Sequence, residues 1–319
     1  MARTNISDLA AGVQVDEVYL VKDSSLAKTK KGDDYIRATI SDSTGSVHLR
    51  RWDASPEVFS TCYPTGAFVR VRGSVEEYQG KLQVVARGEM PVAPSEVDTG
   101  DFMEATPFDE GEMLAELDEL AASVTDDGLR ALLDAFFGDA KFRERFAKAP
   151  AAHAYHHAYV GGLLEHTVSV TRQGAAICGV NDRLDRDLLV TGCLLHDIGK
   201  TEELSSEPGF EYTDPGRLLG HIPIGTLMVR ERGRKLKILS REQLDLVCHY
   251  ILSHHGQREY GAAVVPATAE AVAIHHLDNL DAKVQAASHM IENDPDPAAR
   301  WTDYSRIFEG KLYKGLPED

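Results

Sequence analysis

Leu195-His196-Asp197-Ile198-Gly199-Lys200 closes an apolar run that begins at Leu188. The run reads as a buried helix. It ends in an imidazole beside a carboxylate, followed by a glycine that predicts a left-handed stop. Adjacent side chains inside a helix diverge by about 100°, whereas at a helix end they can converge on neighbouring ions. Similar arrangements recur outward from this stretch. Ser253-His254-His255-Gly256 closes a helix predicted over Leu244 to Ser253, and Gly220-His221 opens one over His221 to Val229. His166 lies where a long apolar helix begins, and Asp278 sits in a helix with few breakers, Glu270 to Ala287.

His166, His196, Asp197, His221, His254, His255 and Asp278 thus form an ordered series of seven potential metal ligands. Twelve of the 13 histidines fall between His153 and His289, while the first 150 residues hold only His48. Imidazole and carboxylate build hydrolytic sites for Zn, Mn, Fe or Co. Two such ions sharing ligands can activate a water and clamp a phosphoryl group. Any one of these residues alone reads as a cap or a surface group, which is how we read His48, His153, His249 and His289. Glu165 points away from His166 on its helix and reads as solvated. The functional reading rests on the set, because the pairs His196-Asp197 and His254-His255 are costly to bury without partners.

With 319 residues, 43% hydrophobic and 27% charged, the chain can bury a sizeable core and form two or three domains. No apolar run approaches the roughly 20 residues of a membrane span. Met1 to Ile6 lead into no apolar leader core, so we expect a cytoplasmic protein with no membrane partner. Cys62, Cys178, Cys193 and Cys248 are scattered without a CxxC pair and fit reduced thiols. The net charge of −17 weighs against a long nucleic-acid footprint. It is uneven, however. Residues 1–94 balance at 12 basic and 12 acidic, whereas residues 95–150 carry 5 basic against 15 acidic.

Residues 13–90 alternate apolar and polar side chains in five short runs, Val13 to Leu20, Tyr35 to Ile40, Val47 to Trp52, Ala67 to Val75 and Lys81 to Ala86. A short helix fits at Ser55 to Cys62. Five strands with a helix there suit a small all-β OB-type barrel. Residues 91–110 hold Pro91, Pro94, Pro107 and many acids, and read as an exposed linker. From Glu112 the apolar period becomes helical, and aromatics between Tyr304 and Tyr313 are placed to dock the tail. The expected organisation is a barrel over 1–92, an acidic linker over 93–112, an all-α helical bundle over 113–292 and a tail over 293–319.

The pattern of His166, His196-Asp197 and Asp278 resembles the HD-domain metal-dependent phosphohydrolases, and His221 with His254-His255 resembles their two-metal subgroup. The segments 156–167, 195–200, 220–222, 253–256 and 277–283 look like the YhaM-type bacterial 3′→5′ exoribonucleases, which place an OB domain before the HD domain. The resemblance covers nearly the whole chain. It implies that His166, His196, Asp197 and Asp278 hold one metal. Asp197, His221, His254 and His255 would hold a second, with Asp197 bridging. It further implies release of nucleoside 5′-monophosphates from single-stranded RNA, or DNA. Manganese is the expected ion, with Fe, Co, Ni or Zn open.

Around this set, Lys200 can meet a phosphate oxygen or serve as a helix-end cation, and His157 can touch phosphate or support a ligand. His275 and Asp281 flank Asp278 on one helix face and can orient ligands. On the barrel, Tyr35, Trp52, Phe68 and Tyr78 are stacking candidates, of which Trp52 and Phe68 read rather as core. Lys28, Lys30, Lys31, Arg37, Arg50, Arg51, Arg70 and Arg72 are phosphate candidates. Two other functions compete: a nucleotide or cyclic-dinucleotide phosphohydrolase on the same metals, and a non-catalytic nucleic-acid-binding regulator. Self-association into a homo-oligomer is left open.

Overall fold

The alternation over the N-terminal third resolves into five strands and one helix in a computed structural model describing residues 3–29, 32–78, 80–102, 106–151, 159–205, 212–292, 294, 296 and 299–315. The elements are β1 (Gln14–Lys28), β2 (Asp34–Asp42), β3 (Gly45–Trp52), α1 (Pro56–Cys62), β4 (Phe68–Tyr78) and β5 (Lys81–Val92). They close into a barrel in the order β1-β2-β3-β5-β4. Every pairing is antiparallel except β3 with β5, which is parallel. Because successive side chains alternate faces, Tyr19, Val21, Ile36, Ala38, Ile40, Leu49, Val69, Val71 and Val84 fill the interior. Helix α1 starts where expected, with the Ser55 side chain accepting from the Val58 amide and Pro56 in the first turn.

The expected exposure of residues 91–110 does not hold throughout. Strand β5 runs on to Val92, and Phe102 is buried beside Phe68 and Leu20. The two phenylalanine rings meet edge-on at 4.8 Å. An acidic composition predicted solvation, but an apolar patch on the outside of the barrel needed a cover and Phe102 supplies it. Phe68 is therefore buried, as expected, although outside the barrel interior.

A second compact unit begins at Thr106. It contains α2 (Glu110–Ala122), α3 (Asp127–Phe137), α4 (Ala140–Lys148), α5 (Gly162–Cys178), α6 (Arg186–Leu195), α7 (Lys200–Glu203), α8 (Asp214–Leu219), α9 (His221–Gly233), α10 (Arg241–Ser253) and α11 (Ala269–Glu292). Part of the acidity of residues 95–150 is capping: Asp109, Asp126 and Asp139 each accept a backbone amide at a helix start. The core joins Leu117, Leu129, Leu132, Phe136, Phe142 and Phe146 to Leu163, Leu164, Leu195, Val247 and Ile251. Helix α5 packs on α6 and α11, and α9 packs on α10. In the tail, Trp301 bridges to Tyr313 with rings 5.1 Å apart, and Ile307 shares a groove with Ala286 and Met290 of α11. Among the described residues no helix is long and apolar enough to cross a membrane.

Gly199 does not take the left-handed conformation expected of it. Its φ is −64°, in the right-handed region. What demands glycine is proximity, since a Cβ there would lie 2.0 Å from the His221 carbonyl oxygen and 2.7 Å from the Gly225 nitrogen. The turn after α6 is thereby pressed against the first turn of α9. Gly199→Ala should destabilise the helical unit by about 1–3 kcal/mol, the usual cost of overpacking. Urea unfolding followed by circular dichroism measures it, and an unshifted midpoint would contradict this packing.

Candidate functional site

Five helices deliver the seven expected ligands to one place. His166 comes from the first turns of α5, His196 is the residue that ends α6, and Asp197 follows it. His221 is the first residue of α9, His254 ends α10 with His255 next, and Asp278 projects from the middle of α11. His166, His196 and Asp197 place ligand atoms within 4.8 Å of one another, and so do His221, His254 and His255.

Asp197 joins the two groups. Its Oδ2 lies 3.4 Å from His196 Nε2 and 3.6 Å from His166 Nε2. Its Oδ1 lies 3.4 Å from His254 Nε2 and 3.6 Å from His221 Nε2. Asp278 Oδ1 adds to the first group, 3.3 Å from His166 Nε2 and 4.0 Å from His196 Nε2.

The imidazoles share one orientation. Nδ1 of each meets an oxygen acceptor: His166 at Asp281 Oδ2 (2.7 Å), His196 at the Cys193 carbonyl (2.7 Å) and His221 at Glu203 Oε1 (3.1 Å). His254 meets the Ile251 carbonyl at 2.8 Å and His255 the Tyr260 carbonyl at 2.8 Å. An acceptor at Nδ1 keeps a proton there and turns the Nε2 lone pair inward. Asp281 is itself held by the Ser169 hydroxyl at 2.5 Å and the Gln173 amide at 3.2 Å. His275, expected to support a ligand, meets the backbone carbonyl of His254 at 2.9 Å, so it braces the end of α10.

The donor set fits divalent cations. Asp197 Oδ1, His221 Nε2 and His254 Nε2 are buried, face one another and have no hydrogen-bond partner among the described residues. Such atoms are costly to bury unless something coordinates them. The electrostatics agree. Burial alone would drive His166 neutral, but Asp278 and Asp281 raise its pKa to about 9, so the carboxylates favour positive charge at that point. Burial works against Asp197, yet Lys200 and His196 hold its carboxyl well below the usual range, and Asp278 is likewise lowered against its burial by His166. On the other side, burial and then His254 lower His255 to about 4, leaving it a neutral donor.

Lys200 is partly buried, with its Nζ 2.5 Å from Asp197 Oδ2. Burial opposes its charge and Asp197 outweighs it, raising the pKa. It is therefore a fixed cation inside the cluster rather than a helix-end ornament. Glu165 corrects the sequence reading. It is buried rather than solvated, accepting from the Thr106 hydroxyl at 2.6 Å and the Tyr159 hydroxyl at 2.7 Å. Chain preceding α5 and α2 covers that face of the helix, which periodicity alone does not reveal. Glu203 was missed altogether. Its carboxylate takes both the backbone amide of His221 at 3.0 Å and its Nδ1. Burial raises its pKa, and His221 more than reverses this. An acid six residues beyond Asp197 and at a helix end was the one available signal. His157 lies outside the described residues.

On the barrel, register sets Tyr35 opposite Trp52, Arg37 opposite Arg50 and Thr39 opposite His48, with inward Ile36, Ala38 and Ile40 between them. These residues share the outer face. Trp52 is 44% exposed, which corrects the core reading, and its ring lies 5.1 Å from that of Tyr35. Facing outward at the end of β3 took precedence over hydrophobicity. Tyr78 is exposed as well. Arg70 and Arg72 both pair with Asp16, Arg51 pairs with Glu89, and Lys28 pairs with Asp34. Lys30 and Lys31 lie outside the described residues.

Comparison with known proteins covers both units. The HD-domain family matches residues 163–283, and the OB-fold nucleic acid binding domain family matches residues 17–92. Relatives named 3′-5′ exoribonuclease YhaM match most of the chain. That of Bacillus subtilis (strain 168) is 35% identical over 88% of this chain and 88% of its own length. That of Bacillus velezensis is 34% identical over the same shares. That of Geobacillus sp. (strain WCH70) is 33% identical over 88% of this chain and 86% of its own.

Glu203→Ala should lower the affinity of the site for divalent metal about 10- to 100-fold, the usual effect of losing a ligand's orienting partner. Competition with a chromogenic chelator reads this directly. Undiminished affinity in a folded variant would remove Glu203 from the site.

Proposed function

We propose that this chain, which belongs to the family of the YhaM 3′-5′ exoribonucleases, is a metal-dependent exonuclease. It would shorten single-stranded RNA from the 3′ end and release nucleoside 5′-monophosphates, with single-stranded DNA as a second substrate class to test. The observation that carries this reading is one chain pairing an OB-fold barrel with a seven-ligand cluster, similar to those relatives across both units.

His166, His196, Asp197 and Asp278 would hold one divalent cation, and Asp197, His221, His254 and His255 a second. When bound, two such ions supply Lewis-acid activation of water and of the phosphoryl oxygens. Manganese is the ion we favour for a mixed nitrogen and oxygen set, with Fe, Co, Ni or Zn as the alternatives. The remaining steps belong to the protein. Asp281 keeps the His166 proton on Nδ1, and Glu203 does the same for His221, so both Nε2 atoms stay directed at the cluster. Lys200 places a fixed positive charge beside the shared carboxylate, which favours a non-bridging phosphate oxygen. On the barrel, Tyr35 and Trp52 offer aromatic faces for bases, and Arg37 and Arg50 offer charge for the backbone. The thiols Cys62, Cys178, Cys193 and Cys248 are unpaired, which suits a cytoplasmic setting.

Asp197→Ala removes the one carboxylate common to both groups. It should abolish release of mononucleotides and take bound metal from about two ions per chain to one or none. Turnover on labelled RNA together with elemental analysis tests this; an active variant with full metal would overturn the assignment. Trp52→Ala should weaken binding of a single-stranded RNA by about 1–3 kcal/mol while leaving metal content unchanged. Fluorescence anisotropy at fixed salt gives the value, and an unchanged affinity would exclude that face.

A further inference from the structure

Among the described residues, the cluster is more covered on one side than on the other. His166, His196 and His254 are almost fully buried, whereas His221 and His255, with rings 5.2 Å apart, are only partly covered. The segments beside these two histidines each present an exposed apolar side chain. Leu219, 52% exposed, immediately precedes Gly220-His221. Tyr260, 67% exposed, lies on the short turn Arg258–Tyr260 that follows His255.

That turn is rigid. Gly256 and Gly261 both take positive φ, 76° and 95°, and a Cβ on Gly256 would strike the His275 ring at 2.3 Å. Backbone bonds from the amides of Tyr260 and Ala262 to the Gln257 carbonyl close it at 3.1 Å each. The Tyr260 carbonyl orients His255, but any residue could provide a carbonyl. The ring has no part in that contact and stands in solvent, unlike Tyr19, Tyr63 and Tyr250, which are buried.

The geometry points to a nucleobase subsite at this less covered lip, in which the base of the 3′-terminal nucleotide stacks on the Tyr260 ring, with Leu219 as an apolar wall. The subsite rests on the exonuclease reading, because a phosphodiester at the cation centre puts its nucleoside at the less covered side. Stacking on an aromatic ring accepts every base. It would give the enzyme a grip on the terminal residue without sequence preference.

The test is equilibrium binding of AMP and of ribose 5-phosphate to the full chain supplied with Mn²⁺, by calorimetry. The wild type should prefer AMP about tenfold, within the range one base stack contributes. Tyr260→Ala should lose that preference with unchanged affinity for ribose 5-phosphate and unchanged metal content, and Tyr260→Trp should keep it. Equal affinity of the wild type for both ligands would overturn the subsite. So would a preference surviving in Tyr260→Ala, or a parallel loss of ribose 5-phosphate and metal, which marks a purely structural role. RNA shortening is scored separately on the same preparations. A wild type that prefers AMP but leaves RNA intact refutes the exonuclease and keeps the nucleobase subsite.

Discussion

A carboxylate buried in a helical core must be compensated, and Asp197 is that carboxylate. It is about 1% exposed, and imidazole or ammonium nitrogens surround both of its oxygens. An isolated charge there would cost several kcal/mol. The demand therefore falls on helix placement. Helix α6 must stop at His196, α9 must start at His221, α10 must stop at His254, and α5 and α11 must present His166 and Asp278 at the same level. Gly199 lets the turn after α6 approach the first turn of α9 closely enough for this to happen.

Orientation is achieved with modest means. Two of the five imidazoles are steered by carboxylates and three by backbone carbonyls. His196 and His254 end helices and use carbonyls of the last turn, which the helix leaves without amide partners, whereas His255 uses the Tyr260 carbonyl of the turn that follows. The same local geometry that ends the helix thus aims the ligand. The charged partners, Asp281 and Glu203, serve the two histidines that begin helices, where no spare carbonyl lies three residues back. An acidic chain can in this way hold a concentrated site for cations, with the Lys200 ammonium held against the Asp197 carboxylate.

Much of this was legible in the residues. The pairs His196-Asp197 and His254-His255, each closing an apolar run, foretold convergence because helix ends are where neighbours can point together. Alternation over residues 13–90 foretold the strands and the barrel. Other features could not be read. Glu203 reaches His221 across a gap of eighteen residues by a turn that no period encodes. Glu165 looked solvated because helical phase shows which side of α5 faces the next helix, not which loop covers the remainder. Trp52 looked like core because hydrophobicity says that a ring prefers burial, while strand phase, which set it opposite Tyr35 on the outer face, decided otherwise. The pairing of Arg70 and Arg72 with a shared neighbour, Asp16 on β1, was equally invisible in their spacing.

The barrel closes through a single parallel ladder, β3 against β5, recorded over just His48↔Gln83, Leu49↔Val84 and Arg50↔Val85. Every other pairing extends over seven or more residues. This narrow seam is where local opening needs the fewest broken hydrogen bonds. Were it to part, β3 and β5 would both offer unpaired edges, and a neighbouring copy could add a strand to either. Solubility under stress thus depends on a three-residue clasp, far along the chain from the helices that gather the histidines.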